Sequence, residues 1–260
     1  MNKNIIVICF GRSGSTNLLD AFVENDNLNY INAAEIFCRG RMFDIIPTEK
    51  KNFTFLKASH HEEKATFEKQ YSVFNQYNIQ DKSVIFKMWI GWHLHYIQEP
   101  FYKEFIENSH VILLFRKDIV AQGISGCMTT HALSSLRNVK KINCDPFPLE
   151  IDYQRDIEWK IQQLERFVKN VPVIDNLIIS EDIFNKDSCI EQLRSTYGID
   201  FYKRSQTNPD YLKKELITNY NEIQAQMIKL GYASRYTVAT NKLRSITKNK
   251  RIIKNVIGKL

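Results

Sequence analysis

The chain has 260 residues, 43% of them apolar, and a formal net charge of +7. That length fits one large domain or two small ones with a full core, and no stretch reaches the roughly 18 to 20 apolar residues of a membrane span. Five scattered cysteines without a CxxC pair argue against a zinc site and a disulfide framework, so reduced thiols and a cytoplasmic setting are expected.

The first apolar run, Ile5–Phe10, ends in a Gly-Arg-Ser loop without a cleavage-like site, which reads as a buried strand rather than a signal peptide. A helix is expected over Thr16–Glu24 and a longer one over Glu62–Tyr77. Val84–Met88 reads as a second strand, Ile97–Glu107 as a helix, His110–Phe115 as a third strand and Lys117–Met128 as the helix after it. Ile157, Ile161, Leu164 and Val168 share one helical face, so Asp152–Lys169 is an amphipathic helix ended by Pro172. Asn176–Ile179 is a further strand, and a helix opening near Pro209 runs to Leu230 before Gly231. Short apolar strands alternating with helices predict an α/β fold, a mostly parallel central sheet flanked by helices, with ligands beyond the strands' C-terminal ends.

The final twenty residues hold seven of the 36 basic residues and no acid, so the other 29 basic residues are matched by 29 acids. The body, residues 1–240, is neutral; 241–260 is a basic tail with Ile252, Ile253, Val256, Ile257 and Leu260 on one helical face. That pattern suits peripheral contact with anionic lipid, or equally a helix docked on the body. A neutral body without a recognition motif argues against nucleic acid. Oligomeric state stays open.

The loop Gly11-Arg12-Ser13-Gly14-Ser15-Thr16 follows the first strand directly. Its glycines permit a sharp turn into the helix. The amides of Gly14, Ser15 and Thr16 would then face an anion at the helix N-terminus, with hydroxyls from Ser13, Ser15 and Thr16 and a guanidinium from Arg12 beside them. Two residues separate Gly11 from Gly14 and no Lys follows, so the motif is neither GxxxxGK[ST] nor GxGxxG. A second charged loop, Arg116-Lys117-Asp118, follows the third strand. Asp118 reads as a helix cap, whereas Arg116 and Lys117 suit a second anionic group, with Ser125 two turns on. Taken alone, Glu35 is an ordinary surface carboxylate. Lys87 ends a strand, where it suits contact with donor or acceptor or simple pairing with an acid, and Trp89, Trp92, His93 and His95 follow in a cluster suited to stacking on a sugar, with core packing explaining at least one Trp. His60 and His61 show no metal spacing and read as surface or the rim of an acceptor pocket; His131, close to the second loop, has no assigned role.

Together these segments resemble the PAPS-dependent sulfotransferases (PAPS is 3′-phosphoadenosine 5′-phosphosulfate), in particular the bacterial trehalose- and Nod-factor-sulfotransferase type. "FGRSGSTNLL" is similar to their 5′-phosphosulfate loop, "FRKDIVAQGIS" to their 3′-phosphate strand and helix, and "INAAEIFCRG" to the segment carrying the proposed base. "VIFKMWIGWH" resembles their Lys-x-Trp strand and "LIISEDIF" a later strand with its acidic pair, all in order between about residues 5 and 200. The resemblance implies a P-loop-like sulfotransferase fold, PAPS as donor, no metal, and a carbohydrate or glycolipid acceptor. It places Arg12, Ser13, Gly14, Ser15 and Thr16 on the 5′-phosphosulfate, and Ser125 with Arg116 or Lys117 on the 3′-phosphate. Arg116 lies nine residues before Ser125 and Lys117 eight, the spacing of many relatives. Glu35 becomes the general base, Arg12 a stabiliser of the leaving group, and Lys87, Trp89 and His93 the substrate-binding set. The rival expectations are a nucleotide-dependent kinase with a degenerate phosphate loop, and a non-catalytic nucleotide- or glycan-binding protein.

Overall fold

The computed structural model describes residues 3–11, 13–23, 30–38, 43–48, 52–58, 66–76, 83–130, 148–149, 153–172, 174–179, 187–198 and 217–257. Its strands are β1 (Ile5–Cys9), β2 (Tyr30–Ala34), β3 (Phe43–Thr48), β4 (Asn52–Ala58), β5 (Ser83–Trp89), β6 (His110–Phe115) and β7 (Asn176–Ile179). The helices are α1 (Ser15–Val23), α2 (Phe67–Asn75), α3 (Ile90–Tyr96), α4 (Pro100–Glu107), α5 (Ile119–Thr130), α6 (Tyr153–Phe167), α7 (Asp187–Tyr197), α8 (Tyr220–Lys229) and α9 (Tyr232–Ile257).

One sheet holds the strands in the order β3-β4-β2-β5-β1-β6-β7. Every neighbouring pair from β4 to β7 is parallel, and β3 alone runs antiparallel, against β4. Pro47 lies in β3, which pairs on one side only, where a missing N–H is tolerated. The molecule is therefore α/β, with a parallel central sheet flanked by helices.

The twofold alternation of the central strands divides the core. Ile5, Val7 and Cys9 of β1, with Ile85, Ile112 and Leu114, pack against α1 and α7. Ile6 and Ile8, with Val84, Phe86, Met88, Val111 and Leu113, pack against the other helices, from α2 to α9. Both faces of these strands are thus covered, which is why β1, Val84–Phe86 of β5 and Val111–Phe115 of β6 read as apolar runs. Phe67 joins α2 to this second core, its ring 4.7 Å from Tyr102 and 5.2 Å from Phe105 of α4.

Two stretches differ from expectation. The helix expected over Ile97–Glu107 begins at Pro100, whose missing N–H suits a first-turn position, and α3 precedes it directly after β5. The helix through the basic tail starts at Tyr232 and crosses position 240 without a break, with Tyr236, Ala239 and Leu243 buried in the core. Residues 209–216, where the preceding helix was expected to open, lie outside the described residues; α8 covers its C-terminal part. Among the described residues no helix is long and apolar enough to cross a membrane.

Candidate functional site

The parallel register aligns the C-terminal ends of β1, β5 and β6: Cys9 pairs with Trp89 on one side and Leu114 on the other. The segments leaving these ends form one edge of the sheet. After β1 the chain turns through Gly14, whose φ of 82° is in the left-handed region, and α1 starts at the next residue. A residue with a Cβ is strained there. Gly11 is different: its φ is outside that region, and a Cβ there would meet only Trp89 Cζ2, at 4.0 Å. The turn is thus made by Gly14 and not by both glycines. The first amides of α1 have no partner within the helix. Ser13 and Ser15 are buried and Thr16 is exposed. Ser13 Oγ makes no hydrogen bond of normal geometry among the described residues. Burial pushes the Cys9 thiol's pKa up, opposed by the Lys87 charge and by the Ser13 and Ser15 hydroxyls beside it. Arg12 lies outside the described residues.

Glu35 arrives at the same edge from β2. The β2–β5 register shifts between Asn32 and Ala34, and Ala34 takes a φ of 46°, the one positive φ among described non-glycine residues. Asn32 Oδ1 supports the kink by accepting from the Ala34 amide at 2.8 Å. The following turn is closed by Ile36 N–H to Ala33 O (3.1 Å) and Cys38 N–H to Glu35 O (2.9 Å). The Cys38 thiol pins this turn to β5, donating to Lys87 O (3.4 Å) and accepting from Trp89 N (3.3 Å). Backbone strain beside a candidate catalytic carboxylate is a pattern of functional sites.

Lys87 connects these parts. Its Nζ lies 2.6 Å from Glu35 Oε1 and donates to Thr16 Oγ1 at 3.3 Å. The side chains of Lys87 and Glu35 are 13% and 27% exposed, so the pair is sheltered but reachable. An ammonium has three donors; two are engaged, and the third has no acceptor among the described residues.

The second loop is fastened to the first. Asp118 caps α5 as expected, its Oδ1 accepting from the Ala121 amide at 2.9 Å. Gln122 Nε2 donates to Gly11 O at 2.9 Å, directly tying α5 to the first loop, while its buried Oε1 has no partner among the described residues. From α9, the Tyr236 hydroxyl donates to Arg116 O at 2.8 Å. Arg116 is half-buried, Lys117 exposed and Ser125 buried on the second turn of α5. Packing of α6 on α5 requires Gly123, where a Cβ would lie 2.4 Å from Ile157 Cγ1.

The structure therefore brings Ser13, Gly14, Ser15, Thr16, Glu35, Lys87 and Trp89 to one edge, with Arg116, Lys117 and Ser125 on the segment fastened beside it. Trp89 Nε1 is buried without a partner among the described residues. His93 is a correction. It is fully buried, shares a 2.9 Å hydrogen bond between Nδ1 and Tyr102 Oη, and packs edge-on against Phe167. Burial, partly opposed by the Asn170 backbone, lowers its pKa to about 4. It is a neutral core residue because α3 turns it inward, away from the substrate edge. His60, His61 and His131 lie outside the described residues. Sequence reasoning did not single out Gln122, Tyr236, Ala34 or Cys38. The spacing of Gln122 within "RKDIVAQ", one turn after the cap, was the available signal for the first; the rest depend on tertiary contacts.

Comparison with known proteins finds no family model, no characterised protein and no solved structure that matches the chain. Among the described residues no group of three or more His, Cys, Asp and Glu is placed to hold a metal ion.

Proposed function

We propose that the chain is a sulfotransferase that moves a sulfuryl group from PAPS to a hydroxyl of a carbohydrate or glycolipid, on a P-loop-like fold. One observation carries the reading: the Thr16–Lys87–Glu35 chain, in which one ammonium links an anion-seating loop to a carboxylate. Such a link suits a transfer whose donor is anionic and whose acceptor must lose a proton. The buried Gln122 Oε1, without a partner among the described residues, fits a polar ligand at this edge, since buried polar atoms are ordinarily hydrogen-bonded.

In this reading the first-loop amides and hydroxyls, with Arg12, hold the 5′-phosphosulfate. Arg116 or Lys117 with Ser125 holds the 3′-phosphate. Glu35 takes the acceptor's proton as the new oxygen–sulfur bond forms and the bond from sulfur to the 5′-phosphate oxygen breaks. Lys87 and the loop donors receive the charge growing on that departing oxygen. Lys87 also holds Glu35 aimed until the acceptor arrives.

The test is transfer of label from [35S]PAPS to a panel of oligosaccharides and glycolipids, with Glu35→Gln in parallel. Labelled product from the wild type, with turnover lost in the variant at unchanged 3′,5′-adenosine bisphosphate affinity, is expected. Equal turnover in both proteins would remove Glu35 as the base.

A further inference from the structure

A cavity of about 460 Å³ opens on α6, lined by Arg155, Asp156, Glu158, Trp159 and Gln162. That volume is within the range of small-molecule sites. Trp159 is 44% exposed, an unusual state for so large an apolar side chain. Its indole is seated over Gly91, where an added Cβ would lie 3.4 Å from Cζ2 and 3.6 Å from Cη2. Gly91 is two residues beyond Trp89, so this wall of the cavity begins where β5 delivers Lys87 and Trp89 to the sheet edge.

The polar lining is held in place before any ligand binds. Glu158 accepts from Arg235 Nη1 through both oxygens, at 3.0 and 2.8 Å, and from Gln162 Nε2 at 2.9 Å. Its pKa lies below the ordinary glutamate value: burial alone would raise it, and the hydrogen bonds and charge of Arg235, helped by Gln162, outweigh that effect. Asp156 is paired with the buried Lys160 on the next turn. Arg235 belongs to the same turn of α9 as Tyr236, which holds the Arg116 carbonyl, so one helix fastens both the cavity wall and the second loop.

A partly exposed indole set among two carboxylates, a carboxamide and a guanidinium matches a ring with one apolar face and a periphery of hydroxyls. A purely apolar ligand would strip water from four polar side chains, and an anion would meet two carboxylates. We propose that this cavity is a carbohydrate subsite that stacks a sugar ring on Trp159 and reads its hydroxyls with Asp156, Glu158 and Gln162. The assignment to the acceptor rests on the sulfotransferase reading above; the sugar chemistry rests on the cavity alone.

The experiment is 19F NMR of the full chain labelled with 5-fluorotryptophan. The chain has three tryptophans, and Trp159→Phe identifies the relevant resonance. Trehalose and N,N′-diacetylchitobiose are titrated as probes, with 3′,5′-adenosine bisphosphate as the comparison. A saturable shift of the Trp159 resonance with at least one disaccharide is expected. Gln162→Ala, an exposed change, should weaken it about fivefold, the loss of one hydrogen bond of about 1 kcal/mol. No shift with either sugar, or a shift with the bisphosphate alone, overturns the subsite. If the bisphosphate stabilises the protein while the sugars leave Trp159 unmoved, the subsite falls and the donor reading stands. If the sugars bind and the bisphosphate does not, the subsite stands and the sulfotransferase reading falls.

Discussion

Two cation–carboxylate clusters in this molecule have similar chemistry and opposite character. Arg235 on α9 grips Glu158 and Glu165 on α6 with hydrogen bonds of 2.8 to 3.2 Å. Four of the guanidinium's five N–H donors are engaged in that clamp, and it works as a strut between two helices. Lys87 holds Glu35 and Thr16 at the sheet edge, with one ammonium proton lacking an acceptor among the described residues. At that edge Trp89 Nε1 and Gln122 Oε1 are buried and unmatched among the described residues. The first cluster is a clamp whose charges satisfy one another between two helices; the second lies at the ligand edge of the sheet, where buried polar atoms have room for a further partner.

The largest expected effect falls on the second cluster. Glu35→Gln should lower turnover by about 10²- to 10⁴-fold, the usual contribution of a positioned base, and leave bisphosphate affinity nearly unchanged in calorimetry. A parallel loss of affinity would make Glu35 structural, like the Arg235 partners. His93 extends the contrast to the core. With a folded pKa near 4 and an unfolded value near 6.5, the unfolded chain binds the proton more readily. Stability therefore rises with pH between those values, by roughly 3 kcal/mol for this group. Urea midpoints measured from pH 4 to 7 should show that slope, and His93→Gln should flatten it.

Gly14→Ala forces a Cβ into a φ of 82° and should cost about 1 to 3 kcal/mol in urea denaturation, with weaker bisphosphate binding. Gly11→Ala meets only an ordinary 4.0 Å contact and should leave the urea midpoint nearly unmoved. Similar losses from both would erase the distinction between the two glycines. Smallest is Arg235→Met. The arginine side chain is 39% exposed, and solvent screening holds the expected loss to about 1 kcal/mol. The Glu158 pKa is depressed in the folded state, so its stabilisation is present above the unfolded pKa and fades as pH falls through the folded one. The variant should lose that acid-side slope and keep its bisphosphate affinity.

The sequence made the centre of the sheet legible and left its edge obscure, for a physical reason. β1, Val84–Phe86 of β5 and Val111–Phe115 of β6 read as apolar runs because helices cover both faces, and Leu177–Ile179 of β7 is apolar in the same way. β2 carries a polar Asn32 and a kink at Ala34, and β3 and β4 form an edge hairpin containing Pro47, so none presents a plain apolar run. The first loop and the Asp118 cap followed from local chemistry, since a turn into a helix needs a left-handed residue and a cap. Glu35 entered through family resemblance and Lys87 as a strand-end cation, and nothing in the sequence paired them, since no spacing rule links residues 52 positions apart. His93 misled because it follows two tryptophans in sequence, while the first turn of α3 rotates it into the core. Gln122 and Tyr236 act across 111 and 120 residues, distances at which sequence pattern is silent.

The most direct measurement is a thermal shift of the full chain with 3′,5′-adenosine bisphosphate, set against ATP with magnesium. A ligand at 100 times its dissociation constant adds about 2.7 kcal/mol, a rise of roughly 5 to 10 °C for a chain of this size. The account predicts that rise with the bisphosphate and none with ATP and magnesium. A rise with ATP and magnesium alone would contradict it in favour of a kinase, and no rise with either would show that the first loop seats some other anion or none.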